Sequence, residues 1–575
     1  LNDKLTLDIG AQYIVQNNKN MVSQGQYYNP LPSLYLFPRG DNFDEIRLYE
    51  RYNTNYGYME QYWPYGDASL SLQNPYWIQN RINRTSNKKR YMMNASLKWQ
   101  AADWLNVVGR VNLDNSDYRN KNEKSASTLT TFCGVSGGFE DAMRQERSLY
   151  ADFLANIDKT FGDFHLTANV GASIYHTSMD QLYIAGDLVI PNFFQINNIN
   201  FSANYKPDPT GYEDEIQSIF ASAELSWKNQ LYLTVTGRND WDSKLAFSKQ
   251  KSFFYPSVGL SALLSEMVKL PEVISYAKIR GSYTVVASSF DRFLTNPGYE
   301  YNSQTHNWAN PTVYPMDNMK PEKTKSWEIG LNLKFWGNRF NLDATYYRSN
   351  TLNQTFKVDI PSSSGYKQAI VQAGNVQNQG LELALGFNDK WAGFGWSSNA
   401  TFTLNRNKVK RLASGSVNPV TGEAIQMDEM NVGWLGKENV APRVILTEGG
   451  SMTDIYVYNQ LTKDNNGNIK VDQNGNLGIT SSNTPVKVGN LDADFNLGWT
   501  NHFTYKGIDL GVVLSARVGG LAYSATQGIL DYYGVSGTSA TARDNGGIPI
   551  NNGKVNAQKY YQTIGTGEGG YGRYY

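Results

Sequence analysis

The chain has 575 residues, enough for several soluble domains or one very large β architecture, and its 52 basic residues are balanced by 52 acidic ones. Zero net charge leaves no electrostatic footprint for nucleic acid, and the single cysteine, Cys133, excludes an intramolecular disulfide framework and a cysteine-built metal centre. No apolar run reaches the roughly 18 residues of a membrane-crossing helix, but a β-barrel escapes that scan by putting its lipid face on every second residue.

The sequence begins inside a strand pattern, LNDKLTLDIGAQYIVQ, without a leader, so an export signal is expected to have been removed or to lie outside it. After a polar, aromatic-rich stretch, Tyr91, Met93, Ala95, Leu97 and Trp99 alternate into the short turn QAAD, and Leu105, Val107, Gly109, Val111 and Leu113 alternate back. Leu149 to Ile157 turns through KTFGD into Phe164 to Ala172, and Ile219 to Trp227 turns at KNQ into Leu231, Leu233 and Val235. Trp327 to Phe335 turns at Gly337-Asn338 into Phe340, Leu342, Ala344 and Tyr346. Leu381 to Phe387 leads through NDKWAGFG to Trp396 to Leu404, and Ala493 to Trp499 through TYKG to Ile508 to Leu514.

Each arm holds its alternation for about 9–13 residues, whereas ordinary strands average about 5–6 and a tilted membrane strand needs about 9–11. The turns within hairpins are short, while the links between them (17–87, 118–145, 178–213, 288–322 and 409–451) are long, as in outer-membrane barrels. The apolar positions carry no charge, and the intervening ones hold Arg110, Asp152, Glu224, Lys334, Asp343 and Arg517 among others. Aromatics gather beside the short turns, as a girdle at one membrane interface. The expected fold is therefore all-β, a large antiparallel transmembrane β-barrel occupying 1–521, with about fifteen strands of a barrel of roughly 22. Residues 522–575 are expected to form an extracellular loop leading to terminal strands beyond this sequence, with an N-terminal plug domain also absent. The alternative is a large soluble sandwich or propeller, although propeller strands are short and lack a one-sided aromatic ring.

Several segments carry a family resemblance: LYLTVTGRNDWDS (231–243), FFYPSVGLSALLSE (253–266), AKIRGSYTVVA (277–287), KPEKTKSWEIGLNLKF (320–335), AGNVQNQGLEL (373–383) and YKGIDLGVVLSARVGG (505–520). In this order they resemble the barrel of SusC/RagA-type TonB-dependent transporters, and the resemblance covers most of 90–540. It implies an importer in the outer membrane of Bacteroidota-type bacteria, paired with a SusD-like surface lipoprotein lid and energised by periplasmic TonB. Such importers take oligosaccharides or, in some members, peptides, and commonly pair two transporters with two lipoproteins.

No catalytic constellation stands out, so no enzyme activity and no cofactor are expected. Gly565, Gly567 and Gly570 satisfy G-x-G-x-x-G literally, without a strand before them or a helix after them. Asp464, Asn466 and Asn468 hint at calcium, but Ile469 stands where a calcium loop needs glycine, and the two NG pairs read as hairpin turns. The four histidines, His165, His176, His306 and His502, are scattered, so no metal site is expected. In the first long loop, Tyr58, Tyr62, Trp63, Tyr65, Tyr76 and Trp77 could stack on sugar rings or pack the loop against neighbours and a partner. Trp308 has the same two readings. Arg238 and Asp240, on the polar face, either pair across strands, contact a plug or touch substrate.

The function expected is active import of an oligosaccharide across the outer membrane. A peptide importer, a passive porin and a secreted β-rich glycan-binding protein or hydrolase are the alternatives.

Overall fold

The computed structural model describes all residues except 1–2, 24, 202–206, 297, 303–306, 317, 415, 426, 437, 439–440 and 566–575. Its wall is one antiparallel sheet: β1 (Leu5–Lys19), β2 (Ile82–Ala102), β3 (Leu105–Lys124), β4 (Gly138–Phe161), β5 (Phe164–Asp187), β6 (Asp208–Trp227), β7 (Leu231–Asp242) and β8 (Phe253–Leu263). It continues through β9 (Ile274–Ser288), β10 (Glu322–Phe335), β11 (Phe340–Asp359), β12 (Gln368–Trp391), β13 (Phe394–Arg411), β14 (Phe495–Tyr505) and β15 (Ile508–Val518). Every strand pairs with its successor in the chain, an up-and-down meander, and among the described residues no pairing joins β1 to β15.

Short turns all fall at one end. Four are two-residue links, and two of these have positive φ at both positions, Ala392-Gly393 (φ 44° and 86°) and Lys506-Gly507 (φ 46° and 87°). Positive φ at both positions is the hairpin geometry that matches strand twist, and glycine takes the second position without steric cost.

Along each strand the apolar set faces outward and remains exposed, including Leu7, Met93, Val111, Phe153, Val235, Leu260 and Leu514. The soluble sandwich and propeller alternatives do not fit, because no second layer covers this face. Aromatic rings edge the band near the short turns in a continuous run: Phe340 to Phe387 at 4.6 Å, Phe387 to Trp396 at 4.8 Å and Trp396 to Phe503 at 6.2 Å. A second girdle, not expected from the sequence, lies toward the other end, with Tyr13 stacked on Tyr91 at 5.1 Å and Trp327 against Tyr346 at 5.5 Å. The nine residues from Tyr91 to Trp99 cover about 27 Å of strand, or about 21 Å along the membrane normal at a tilt of about 40°. That is close to the apolar band of about 25 Å in outer-membrane barrels.

The inward face carries charges in cross-strand pairs. Arg110 forks onto Asp152 at 2.9 and 2.7 Å, and Arg280 reaches Asp343 at 2.9 Å with Asn332 as a second donor at 2.9 Å. Arginine suits these positions because its planar fork binds a carboxylate through two parallel bonds.

The strands run beyond the alternating segments, to as many as 24 residues in β4, β5 and β12. Backbone pairing of β3 with β4 continues to Lys124 and Gly138, while the outward residues turn polar above Leu113 and Leu149. There Arg147 Nε donates to Asn115 Oδ1 at 3.2 Å and Gln145 Nε2 to Asp117 Oδ1 at 2.7 Å. Alternation lapses because both faces are wet, but the ladder does not need it. The wall consequently rises past the membrane, and the links are 20–81, 125–137, 188–207, 289–321 and 412–494.

Residues beyond β15 fold as helices Ala525–Tyr532, Gly537–Asp544 and Ala557–Ile564 with a hairpin, Ile548–Ile550 and Gly553–Val555. Tyr560, Tyr561 and Ile564 pack on Leu461 and Leu477 of the 412–494 link.

Candidate functional site

The first long link is a folded cap. Its helices Pro30–Tyr35, Phe43–Arg47 and Pro75–Arg81 each start at an asparagine (Asn29, Asn42, Asn74) whose side chain accepts a backbone N–H of the first turn. Asn74 is fully buried. Its amide donates to the Ile46 carbonyl at 2.8 Å and the Tyr62 carbonyl at 2.9 Å, and its oxygen accepts the Tyr76 N–H at 2.9 Å. Gln61 ties this hub to the 125–137 link through Ser127, accepting the Asn74 N–H at 2.9 Å and donating its own N–H to Ser127 Oγ at 3.0 Å.

Around that hub the aromatics predicted for sugar stacking are mostly occupied. Trp77 is fully buried, with its indole N–H on Thr128 Oγ1 at 3.0 Å. The Trp63 indole donates to the Gly66 carbonyl at 2.7 Å and meets Tyr65 edge-on at 5.0 Å. Tyr65 also abuts Phe37 at 5.2 Å, Tyr76 stacks with Tyr49 at 6.4 Å, and Arg51 covers Tyr62 at 3.4 Å. Tyr58 stacks on Tyr56 at 5.6 Å. The rings presented outward are others, Tyr27, Tyr35, Tyr52 and Tyr56. No periodicity marks them, because a compact loop sorts its tyrosines by tertiary packing alone. Trp308, 68% exposed, stands against Tyr301 at 5.1 Å on the hairpin Glu300–Asn302 and Asn307–Ala309, and His306 lies outside the described residues.

Between this cap and the helix Ala525–Tyr532 lies a cavity of about 820 Å³ lined by Tyr27, Leu31, Pro32, Tyr35, Asp67, Leu70, Gly436, Ile529 and Leu530, among others. Tyr533 closes one side by donating its hydroxyl to the Ala68 carbonyl at 2.7 Å. Sequence reasoning missed this chamber, whose walls come from opposite ends of the chain.

Arg238 and Asp240 are brought together on β7. Arg238 donates to Asp240 Oδ1 and Ser218 Oγ, each at 2.7 Å, and Tyr255 donates to Asp240 Oδ2 at 2.5 Å. They form a satisfied network on the inner wall, separate from the loop aromatics. Asp464 and Asp472 close two successive turns of identical design. Asp464 accepts the N–H groups of Asn466 and Asn468 at 2.8 and 2.9 Å, and Asp472 those of Asn474 and Asn476 at 2.9 and 2.8 Å. These backbone donors hold both carboxyls below the usual carboxylate range. Gly565 follows the last helix, and Gly567 and Gly570 lie outside the described residues.

Cys133 sits buried in the 125–137 link, where desolvation pushes its thiol up to about 11. From the ordinary value of 9.0, that leaves about 100-fold less thiolate at neutral pH. Alkylation of the folded protein is expected to be correspondingly slow at pH 7.5 and to accelerate toward pH 11. Rapid maleimide labelling at pH 7.5 with intact structure would contradict this.

A family model described as TonB dependent receptor-like, beta-barrel matches residues 27–437. TonB-dependent receptor P3 of Formosa agariphila is 24% identical over 426 residues, 68% of this chain and 41% of its own length. TonB-dependent receptor SusC of Bacteroides thetaiotaomicron is 26% identical over 355 residues, 56% of this chain and 34% of its own. The chain thus spans about two fifths or less of the length of these curated relatives. The solved RagAB peptide transporter superposes with a TM-score of 0.67 at 14% identity, over 90% of this chain and 56% of that one, a likeness of fold.

Proposed function

Because the chain belongs to the TonB dependent receptor-like β-barrel family, whose place is the bacterial outer membrane, we propose that it forms part of an active importer of oligosaccharides. The observation that carries the substrate class is the exposed aromatic surface at the mouth, from Tyr27, Tyr35, Tyr52 and Tyr56 to Trp308. Flat rings of this kind stack on the apolar faces of sugars, and the polar inner wall lets a hydroxylated solute pass without desolvating into an apolar pore. A SusD-like lipoprotein closes over the loops, TonB supplies the energy, and two transporter–lipoprotein pairs associate. No covalent chemistry is assigned to the chain. Tyr58, Tyr62, Trp63, Tyr65, Tyr76 and Trp77 act chiefly by shaping the cap.

One observation favours a second reading. The chamber walls include Leu31, Pro32, Leu70, Ile529 and Leu530, aliphatic groups that suit an apolar peptide side chain. Titration of purified transporter–lipoprotein complex with oligosaccharide and peptide sets decides between them. Saturable binding of an oligosaccharide, weakened about 10-fold by Trp308→Ala on the scale of one lost aromatic contact, is the expected result. Binding by peptides alone would replace the oligosaccharide reading with the peptide one.

A further inference from the structure

The link 412–494 folds into a four-stranded sheet, Glu429–Trp434, Arg443–Thr447, Asp454–Leu461 and Ile479–Asn490. Arg443 pairs in register with Trp434. Its guanidinium carbon lies 3.8 Å from the Trp434 ring centroid and 3.8 Å from that of Tyr458. Both rings therefore lie against the guanidinium. Its Nε is buried without a hydrogen-bond partner, and among the described residues no carboxylate pairs with it. The wall arginines behave otherwise: Arg110, Arg119 and Arg280 each meet an aspartate. Asp454, the buried acid on the adjoining strand, is engaged through Oδ2 by Lys487 Nζ at 2.6 Å rather than by Arg443, and its Oδ1 is buried without a partner. The segment that leads from Trp434 back to Arg443 also supplies Gly436 to the wall of the chamber.

A cation held against two rings and left without an anion is preorganised for one. With two rings against it, the guanidinium offers a ligand its N–H edge, which a planar carboxylate matches better than a tetrahedral anion. Arginine's fork fits a carboxylate through two parallel bonds, with the aromatic faces already limiting its motion. We propose that Arg443, held by Trp434 and Tyr458, is a carboxylate-binding subsite for the imported ligand. This rests on the import reading and refines it, because the carboxylate comes either from a uronic-acid residue of an oligosaccharide or from a peptide.

The test uses full-length transporter with its lipoprotein and two matched ligand pairs. One pair is a glucuronate-bearing oligosaccharide and its carboxyl-reduced form; the other is a peptide with a free C-terminus and its amide. In the wild type, the carboxylate member of one pair is expected to bind about 10–100-fold more tightly than its neutral partner; that pair names the source. Arg443→Met should erase the ratio, bringing the affinity of the carboxylate member down to that of its neutral partner. Arg443→Lys keeps a cation against the rings without the fork, and should lower the ratio about 10-fold even if the methionine variant disturbs the sheet. A ratio that survives both substitutions overturns the subsite. So does a wild type that binds the neutral member equally well, although import then stands. A wild type that binds none of the four ligands overturns import and subsite together.

Discussion

Val235→Arg is expected to destabilise the barrel by about 2–4 kcal/mol, the cost of a cation at mid-membrane on the lipid face. Val235 is 47% exposed on the outer face of β7, between Ala223 of β6 and Val258 of β8, and roughly midway between the turn after Trp227 and the outward Trp241. The informative comparison is one residue away. Thr234 points inward and donates to Glu224 Oε2 at 3.1 Å, so Thr234→Arg places the same cation beside a carboxylate in a wet lumen, with an expected change below about 1 kcal/mol. Denaturant titration of both variants refolded in lipid vesicles measures the difference. Equal destabilisation would mean that the faces of β7 have been assigned the wrong way round.

Asn74→Ala is expected to open the first-link cap at a cost of about 3–5 kcal/mol of local stability while the barrel remains folded. The substitution removes three side-chain hydrogen bonds and strands the Ile46 and Tyr62 carbonyls in a buried setting, each unmet group costing about 1–3 kcal/mol. Asn74→Asp should fare little better, because it keeps the acceptor for the Tyr76 N–H and turns a carboxylate toward two carbonyls. Hydrogen exchange over 43–77 should speed up in both variants, with wall strands unchanged. Unaltered protection there would show that the cap is held by its apolar contacts alone.

The wall was legible in the sequence because alternation has a period of two and tolerates no slip: Leu333 and Lys334 cannot exchange faces without burying a charge in lipid. The lower girdle was legible too, since Phe340 and Trp396 sit next to recognisable turns. The upper girdle was not. Tyr91, Tyr346 and Trp327 lie within strands that continue past the membrane, and nothing local marks that level. Loop residues were harder still. Trp77 and Tyr56 occupy similar tyrosine- and asparagine-rich stretches, yet one is enclosed by Thr128 and the Asn74 hub and the other faces outward. The chamber joins Leu31 to Ile529, and the clamp joins Trp434, Arg443 and Tyr458, at spacings that match no local period.

The meander also bears on how the protein is made. Since each strand's partner is its immediate successor, the wall can grow one hairpin at a time, with no strand threading between two already paired. The longest wait is that of β13 for β14 across the 83 residues of 412–494, against two residues at the tightest turns. By the logarithmic rule for chain closure that wait costs roughly 3 kcal/mol more. The inserted sheet shortens the search by folding on its own local contacts first, and Arg406 of β13 then donates to the Asp494 carbonyl at 3.0 Å, beside the first residue of β14. Loosening that sheet should therefore slow assembly of the wall itself, because the edge of β13 would stay unpaired for longer.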